Sequence, residues 1–327
     1  MASFLARRLG QAVVVMLVVT AVAFVMFRFL GDPLVALLGV ESTEAQRQAV
    51  RAELGLDRPV AIQFLAYLGS VLQGDFGISY RLGRAVEAVL VERLPATVEL
   101  AVSGMFIAVV VGIPAGVYAA LNRGRLASRL LLSASLFGIS MPSFFMGLIL
   151  IWLFSVTLGW LPSFGRGQVV DLGWWTTGLL SAGGLKALVM PALTLAAFQI
   201  AMIMRLVRAE MLEVIRTDYI RFARARGLSH RAVHYRHALR NTLIPVVTII
   251  GLQLGSIIAF AVITESVFQW PGLGLLFLQS VATADVSMMS AYLILIAALF
   301  VAINLVVDIL YLVIDPRLRG RSAAARA

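Results

Sequence analysis

The chain has 327 residues, of which 61% are apolar and only 13% charged, where soluble domains hold roughly half and about a quarter. With a mean hydropathy of +0.94 and a net charge of +10, it reads as a polytopic membrane protein. Cysteine is absent, which excludes disulfides and thiolate metal sites. The one lysine, Lys186, follows Leu185, so no Gly-Lys-Ser/Thr phosphate-binding loop is present and any nucleotide chemistry belongs to another polypeptide.

A helix needs about 20 apolar residues to cross the hydrocarbon layer. The first such run is Leu9–Phe27, preceded by Arg7 and Arg8. It resembles a cleaved signal, but no small-x-small site closes it, so an uncleaved first span is expected. Residues 31–95 form the one sizeable non-membrane region. Ser42 or Thr43 can cap a helix over Glu44–Leu54, with Gly55 as its stop. A second helix is predicted from Pro59 to Leu72, then a turn at Gly74-Asp75-Phe76-Gly77 and a short amphipathic helix over Val86–Leu94. Pro95 is expected to break the chain before the next span. Two readings of this region stand side by side: a cap on the outer mouth of a pore, or a helix pair lying on the bilayer interface.

The second span, Thr97–Leu121, repeats small residues at Gly104, Ala108, Gly112, Gly116 and Ala120. Such a stripe is a helix packing seam. The third, Leu130–Thr157, is long enough to tilt and carries Pro142 between Ser140, Met141 and Ser143, a reason for a kink. Gln199 lies within the fourth span, Ala187–Val207, and Gln253 and Ser256 lie within the fifth, Leu243–Ile263, beside a second small-residue stripe at Gly251, Gly255 and Ala259. Polar groups at depth are costly unless satisfied. Ser140, Pro142, Gln199, Gln253 and Ser256 are candidates for a hydrated translocation path, and interhelical hydrogen bonding is the plainer alternative for each. In the sixth span, Met289–Ile314, Asn304 and Asp308 share a face, with Asp308 placed to form a structural ion pair with Arg205 or Arg208.

Between the fourth and fifth spans lies the segment Asp218–Pro245, with six arginines and all three histidines of the chain. Gly227 separates a helix predicted over Thr217–Arg226 from one over Ser229–Arg240, and Pro245 marks re-entry into the membrane. His230 and His234 have the spacing of a helical metal site, but Arg231, Arg236 and Arg240 surround them and oppose a cation, so no metal is expected. The arginines are explained by the excess of basic residues on cytoplasmic loops, without any nucleic acid. Placing the amino terminus inside puts 18 of the 27 basic residues in cytoplasmic segments: Arg7–Arg8, Arg123–Arg129, Arg205–Arg240 and Arg317–Arg326. The predicted fold is therefore all-α with six spans and both termini cytoplasmic.

Several segments together resemble the B-type permease subunits of dipeptide, oligopeptide and nickel ABC importers. In order they are A-R-R-L-G (Ala6–Gly10), L-G-L-D-R-P-V (Leu54–Val60), G-D-F-G-I-S (Gly74–Ser79), R-L-P-A-T-V-E-L (Arg93–Leu100) and G-I-S-M-P-S-F-F-M-G (Gly138–Gly147). Then follow A-R-A-R-G-L-S (Ala223–Ser229), H-A-L-R-N-T-L-I-P-V-V-T (His237–Thr248), V-F-Q-W-P-G-L-G (Val267–Gly274) and the Asn304–Arg319 segment. The resemblance covers almost the whole chain and is specific through joint occurrence.

It implies a type I importer fold in a bacterial inner membrane. Residues 1–30 would be the amino terminus and first span, 96–315 a five-helix core with a cytoplasmic coupling loop at 208–242, and 316–327 a cytoplasmic tail. Implied partners are a second homologous permease, two cytosolic ATPase subunits that hold ATP and Mg, an extracytoplasmic binding protein and membrane lipid. The coupling residues carried over are Arg221, Ala223, Ala225, Gly227, Leu228 and Ser229. The general EAA-x3-G signature falls on Arg221-Phe222-Ala223 with Gly227, so its acidic residue and first alanine are missing. Short peptides are the commonest cargo in that family, with nickel, glutathione and oligosaccharides as others. An ion-gradient secondary transporter is the competing class, but the inverted repeats and paired broken helices that would mark one are not found in the sequence.

Overall fold

A computed structural model describes residues 2–29, 57–79 and 81–314, with isolated positions between 43 and 51. Of the helix expected over Glu44–Leu54 only Ala45, Gln46, Gln48 and Arg51 are described, and all four are helical. Thr43 and Gln46 bond reciprocally as a capping box, the Thr43 amide donating to Gln46 Oε1 (3.0 Å) and the Gln46 amide to Thr43 Oγ1 (3.4 Å). The tail 316–327 lies outside the described residues. The chain divides into two compact units. One holds Ala96–Pro271 with the end of the last helix from Ala302; the other holds Ala2–Pro95 with Gly272–Val301.

The second of these opens with α1 (Ala2–Phe29), the first span. Helix α2 (Val60–Leu72) starts after Pro59, which supplies a fixed φ of −53° at its boundary. It packs on α1 through aromatic rings: Phe24 against Phe64 at 5.5 Å and Phe27 stacked on Tyr67 at 6.1 Å. The chain turns at Gly74 and Gly77, both with positive φ, and the Asp75 carboxylate accepts from the Gly77 amide at 2.9 Å. A two-residue hairpin follows, β1 (Ile78–Ser79) against β2 (Arg84–Ala85). The Ser79 hydroxyl donates to Asp285, whose other oxygen caps the last helix by accepting from the Met288 amide at 3.2 Å. In that same unit, α9 (Leu273–Ala282) and α10 (Val286–Ile314) meet through Phe277 stacked on Tyr292 at 4.4 Å.

Helix α3 runs unbroken over Val86–Leu121. Pro95 does not end a separate helix as the sequence predicts. It is buried within α3, and the carbonyl of Ala96 beside it accepts from the Trp270 indole at 2.9 Å. Prolines are tolerated inside membrane helices. The small-residue seam packs on α6 (Ala182–Val214). A Cβ on Gly116 would stand 2.6 Å from the Met204 carbonyl and 2.7 Å from Val207 Cβ, and one on Gly112 3.0 Å from Ile203. Gly251 on α8 (Leu239–Val267) meets Val307 just as closely, at 2.6 Å. Only glycine permits these separations.

The third span is more than kinked. Helices α4 (Leu126–Ser140) and α5 (Ser143–Leu150, extended by π-helical turns over Ile151–Thr157) are bent by 110°. Met141 and Pro142 both take extended backbone, with ψ of 131° and 139°. The proline ring excludes its predecessor from the helical region, so the break falls where the sequence places it but is far sharper. Among the described residues, five helices are long and apolar enough to cross a membrane, six with the bent pair counted as one. Reporter fusions after Gly124, Gly173, Ser229 and Asp285 should read inside, outside, inside and outside. An inside signal at Gly173 would mean that the bent pair re-enters without crossing.

Candidate functional site

Helix α6 continues beyond its apolar stretch to Val214 and feeds a compact corner. Helix α7 (Asp218–Ala225) is strongly amphipathic: Ile220 and Ala223 are buried, while Phe222 is 65% exposed. Its end is a Schellman motif. The Gly227 amide donates to the Arg224 carbonyl (2.9 Å) and the Leu228 amide to that of Ala223 (3.4 Å). This closure needs Gly227 at φ +77°, a backbone region closed to most side chains. One residue later Ser229 caps the next helix, its hydroxyl accepting from the Ala232 amide at 3.3 Å. A π-helical stretch, Ala232–Ala238, then leads directly into α8. Pro245 thus lies inside a continuous helix; it is not a boundary.

The two arms of the corner are stitched together. The Tyr219 hydroxyl donates to the His237 carbonyl at 3.2 Å and accepts from the Asn241 amide. Among the sequence-predicted loop residues, Arg221, Ala225, Gly227, Leu228 and Ser229 are exposed, and Ala223 faces inward. Phe222, which sequence reasoning passed over, is the largest exposed apolar side chain of α7. Its position off the Ile220/Ala223 face is the helical-period signal that could have singled it out. The rings of His230 and His234 lie 6.1 Å apart.

Within the spans, Gln253 Nε2 donates to Gln199 Oε1 at 3.2 Å and lies 2.7 Å from Met202 Sδ, and Ser256 Oγ donates to Gln253 Oε1 at 3.0 Å. The three candidate path residues on α6 and α8 are therefore brought together in one interhelical chain, in which Gln199 is buried. Ser140 and Pro142 are exposed at the break of the third span, with no bond to that chain. Asp308 is half-buried near the end of α10, with Arg205 exposed and Arg208 half-buried on α6.

A second cluster was not foreseen. Glu99, 5% exposed, accepts from Arg166 Nε at 3.1 Å and again from Nη2, and from the Gly178 amide at 3.0 Å. Arg166 also donates to the Thr176 hydroxyl (3.0 Å) and carbonyl (2.7 Å), holding the hairpin β3 (Val170–Asp171) with β4 (Thr176–Thr177). Thr97 donates to the fully buried Glu265 at 2.6 Å, and the Trp270 amide to the Glu265 carbonyl at 2.8 Å. The signal was available: a carboxylate inside each of two apolar runs, A-T-V-E-L and V-I-T-E-S-V, is costly in a membrane and marks a required partner.

With this geometry in view, two family models account for most of the chain. Residues 112–320 match the binding-protein-dependent transport system inner membrane component, and residues 1–101 its N-terminal counterpart. The chain belongs to that family. It is thus a multi-pass inner-membrane permease, a transport component that performs no catalysis of its own. It is 40% identical over 333 residues to the di/tripeptide transport system permease protein DppB of Pseudomonas aeruginosa (strain UCBPP-PA14), spanning 98% of this chain and 99% of that one. The dipeptide transport system permease protein DppB of Escherichia coli (strain K12) is 37% identical over 338 residues, 98% and 100% of the two chains. Two inward-facing crystal forms of the MetNI methionine ABC transporter share the fold, with TM-scores of 0.55 and 0.56 at 21% and 20% identity, over 69% of this permease and 96% of theirs.

Because the Glu99–Arg166 pair is nearly dry, removing one member strands the other. Arg166→Leu should destabilise the purified permease by about 3 kcal/mol or more, whereas Arg84→Leu, breaking an exposed pair with Glu92, should cost about 1 kcal/mol at most. Unfolding midpoints in mixed micelles check this; equal effects of the two substitutions would mean that the buried pair is not an anchor.

Proposed function

We propose that this permease forms half of an inward path for short peptides, driven by ATP hydrolysed on separate subunits that dock at the Thr217–Arg240 corner. The observation that carries the cargo is end-to-end similarity, at 37–40% identity, to permeases named for dipeptides and di/tripeptides. The chemistry is consistent with it. A peptide backbone offers neutral donors and acceptors along its length, and the Gln199–Gln253–Ser256 chain can exchange bonds with such groups. Nickel would favour imidazole or carboxylate ligands, and the three histidines all lie on the basic loop.

The partners in this reading are a second, homologous permease, an extracytoplasmic binding protein and two ATPases carrying ATP and Mg. The corner suits the transmission of force. Schellman closure, the Ser229 cap and the Tyr219 bonds make it stiff, so movement of a docked partner displaces α6 and α8 together. Phe222 and Leu228 offer the apolar contact, and Arg221, Ala225 and Ser229 surround it. Asp308 with Arg205 or Arg208 is assigned a structural role. ATP binding would then shift the bundle between inward-open and outward-open populations.

Two outcomes are expected. Nothing lies within 4 Å of a Cβ on Gly227, so Gly227→Val meets only the backbone cost, roughly 1–2 kcal/mol for the left-handed conformation. The variant should insert and assemble normally yet lose substrate-stimulated ATPase activity; wild-type coupling would reduce the corner to a connector. Proteoliposomes holding the full complex, binding protein and internal ATP should accumulate labelled di- to pentapeptides. Uptake of nickel or a sugar with no competition by peptides would overturn the cargo and leave the importer standing.

A further inference from the structure

Where α7 meets the start of α8 there is a cavity of about 820 Å3, of the size that holds small ligands. Its lining changes character along the helix. Arg236, Arg240 and Asn241 stand at the end nearer the loop, and Leu243, Ile244 and Val247 continue the wall toward the membrane. Positions 236, 240, 243, 244 and 247 recur at three- and four-residue steps, so charge and hydrocarbon follow one another on one helix face. Tyr219 and Asn241, bonded to each other, hold the polar end in place. Arg236 and Arg240 are exposed and, among the described residues, neither guanidinium has a hydrogen-bond or ion-pair partner. An excess of arginine on cytoplasmic loops accounts for their sign. It does not account for two unpaired forks over a cavity whose far wall is aliphatic.

We propose that this cavity binds an anionic phospholipid of the cytoplasmic leaflet, its phosphate held by Arg236 and Arg240 and its first methylenes lying on Leu243, Ile244 and Val247. The arginine fork matches phosphate geometry and is weakly hydrated, so it gives up water more readily than lysine would. The second proton of the Asn241 amide is a further donor for a headgroup oxygen. A free phosphate would satisfy the polar end and leave the aliphatic wall uncovered; a phospholipid covers both. The site requires only that the loop face the cytoplasm. It is independent of the cargo. Tyr219, Arg236 and Arg240 belong to the same corner as the ATPase contact, but that contact is assigned to Phe222 and Leu228 and the lipid to the cavity that Arg236 and Arg240 line.

The test uses the complete purified transporter in nanodiscs of phosphatidylethanolamine containing a minor fraction of phosphatidylglycerol. Native mass spectrometry after detergent release counts the phosphatidylglycerol retained. Arg236→Gln with Arg240→Gln should lower retention about tenfold or more, the effect expected of two basic side chains at an anionic surface. Arg236→Lys with Arg240→Lys should stay within about threefold of wild type, since the charge remains. If the double glutamine variant fails to assemble, each single glutamine variant should show about a threefold loss. Retention unchanged by the glutamine variants overturns the proposal. Complete displacement of the lipid by millimolar inorganic phosphate would make this a free-phosphate site instead. A cross-link from Arg240→Cys to a partner subunit in place of lipid would mean that protein covers the cavity.

Discussion

Close approach of two backbones, α3 and α6, is the constraint on which the Ala96–Pro271 unit depends. In a bilayer the lipid tails are as apolar as the side chains, so association rests on packing and on internally satisfied polar groups. Gly112 and Gly116 let α3 come so near that Ile203, Met204 and Val207 of α6 fill the space a Cβ would need. An added methyl there meets backbone, which cannot step aside as a flexible side chain can, and overpacking of this kind costs roughly 1–3 kcal/mol. Helix α6, locked in that seam, is also the helix that runs out into the basic corner. The position of the corner therefore follows from glycines more than 100 residues upstream of it in the sequence.

The polar groups divide into two kinds. Glu99 and Arg166 satisfy one another and the hairpin around Thr176 so completely that the segment between α5 and α6 is tied to α3 at Glu99. Such a pair contributes little net stability compared with apolar packing, and its value lies in fixing one arrangement. The Gln199–Gln253–Ser256 chain is neutral and joins α6 to α8 through side-chain hydrogen bonds.

Much of this was legible in the sequence. The spans follow from apolar length alone, the seam from the four-residue recurrence of small residues, and the corner from Gly227 between two basic helical patterns. The failures have physical causes. Pro95 and Pro245 are read locally as breaks, yet both lie inside long helices, as membrane helices tolerate. Pro142 does break its span: Met141 and Pro142 itself take extended backbone, and a new helix begins at Ser143. Local sequence offered no way to rank the three. Glu99, Arg166 and Glu265 lie far apart in the chain, and only packing brings each carboxylate to its partner. The predicted coupling residue Ala223 turns inward, whereas Phe222, which was not among them, turns outward, a distinction carried by helical phase and not by composition.

The stiff corner after α6 is the surface on which we propose that the ATPase subunits act. Because the chain has no cysteine, a single introduced thiol reports its position without interference. Leu228→Cys and Phe222→Cys, in the assembled transporter with a cysteine placed on the ATPase, should give a bifunctional cross-link whose yield changes on ATP binding. Gly173→Cys, on the opposite side of the membrane, should give none. Free reaction of Leu228→Cys with aqueous maleimide in the full complex, with no permease–ATPase product in any nucleotide state, would contradict the account.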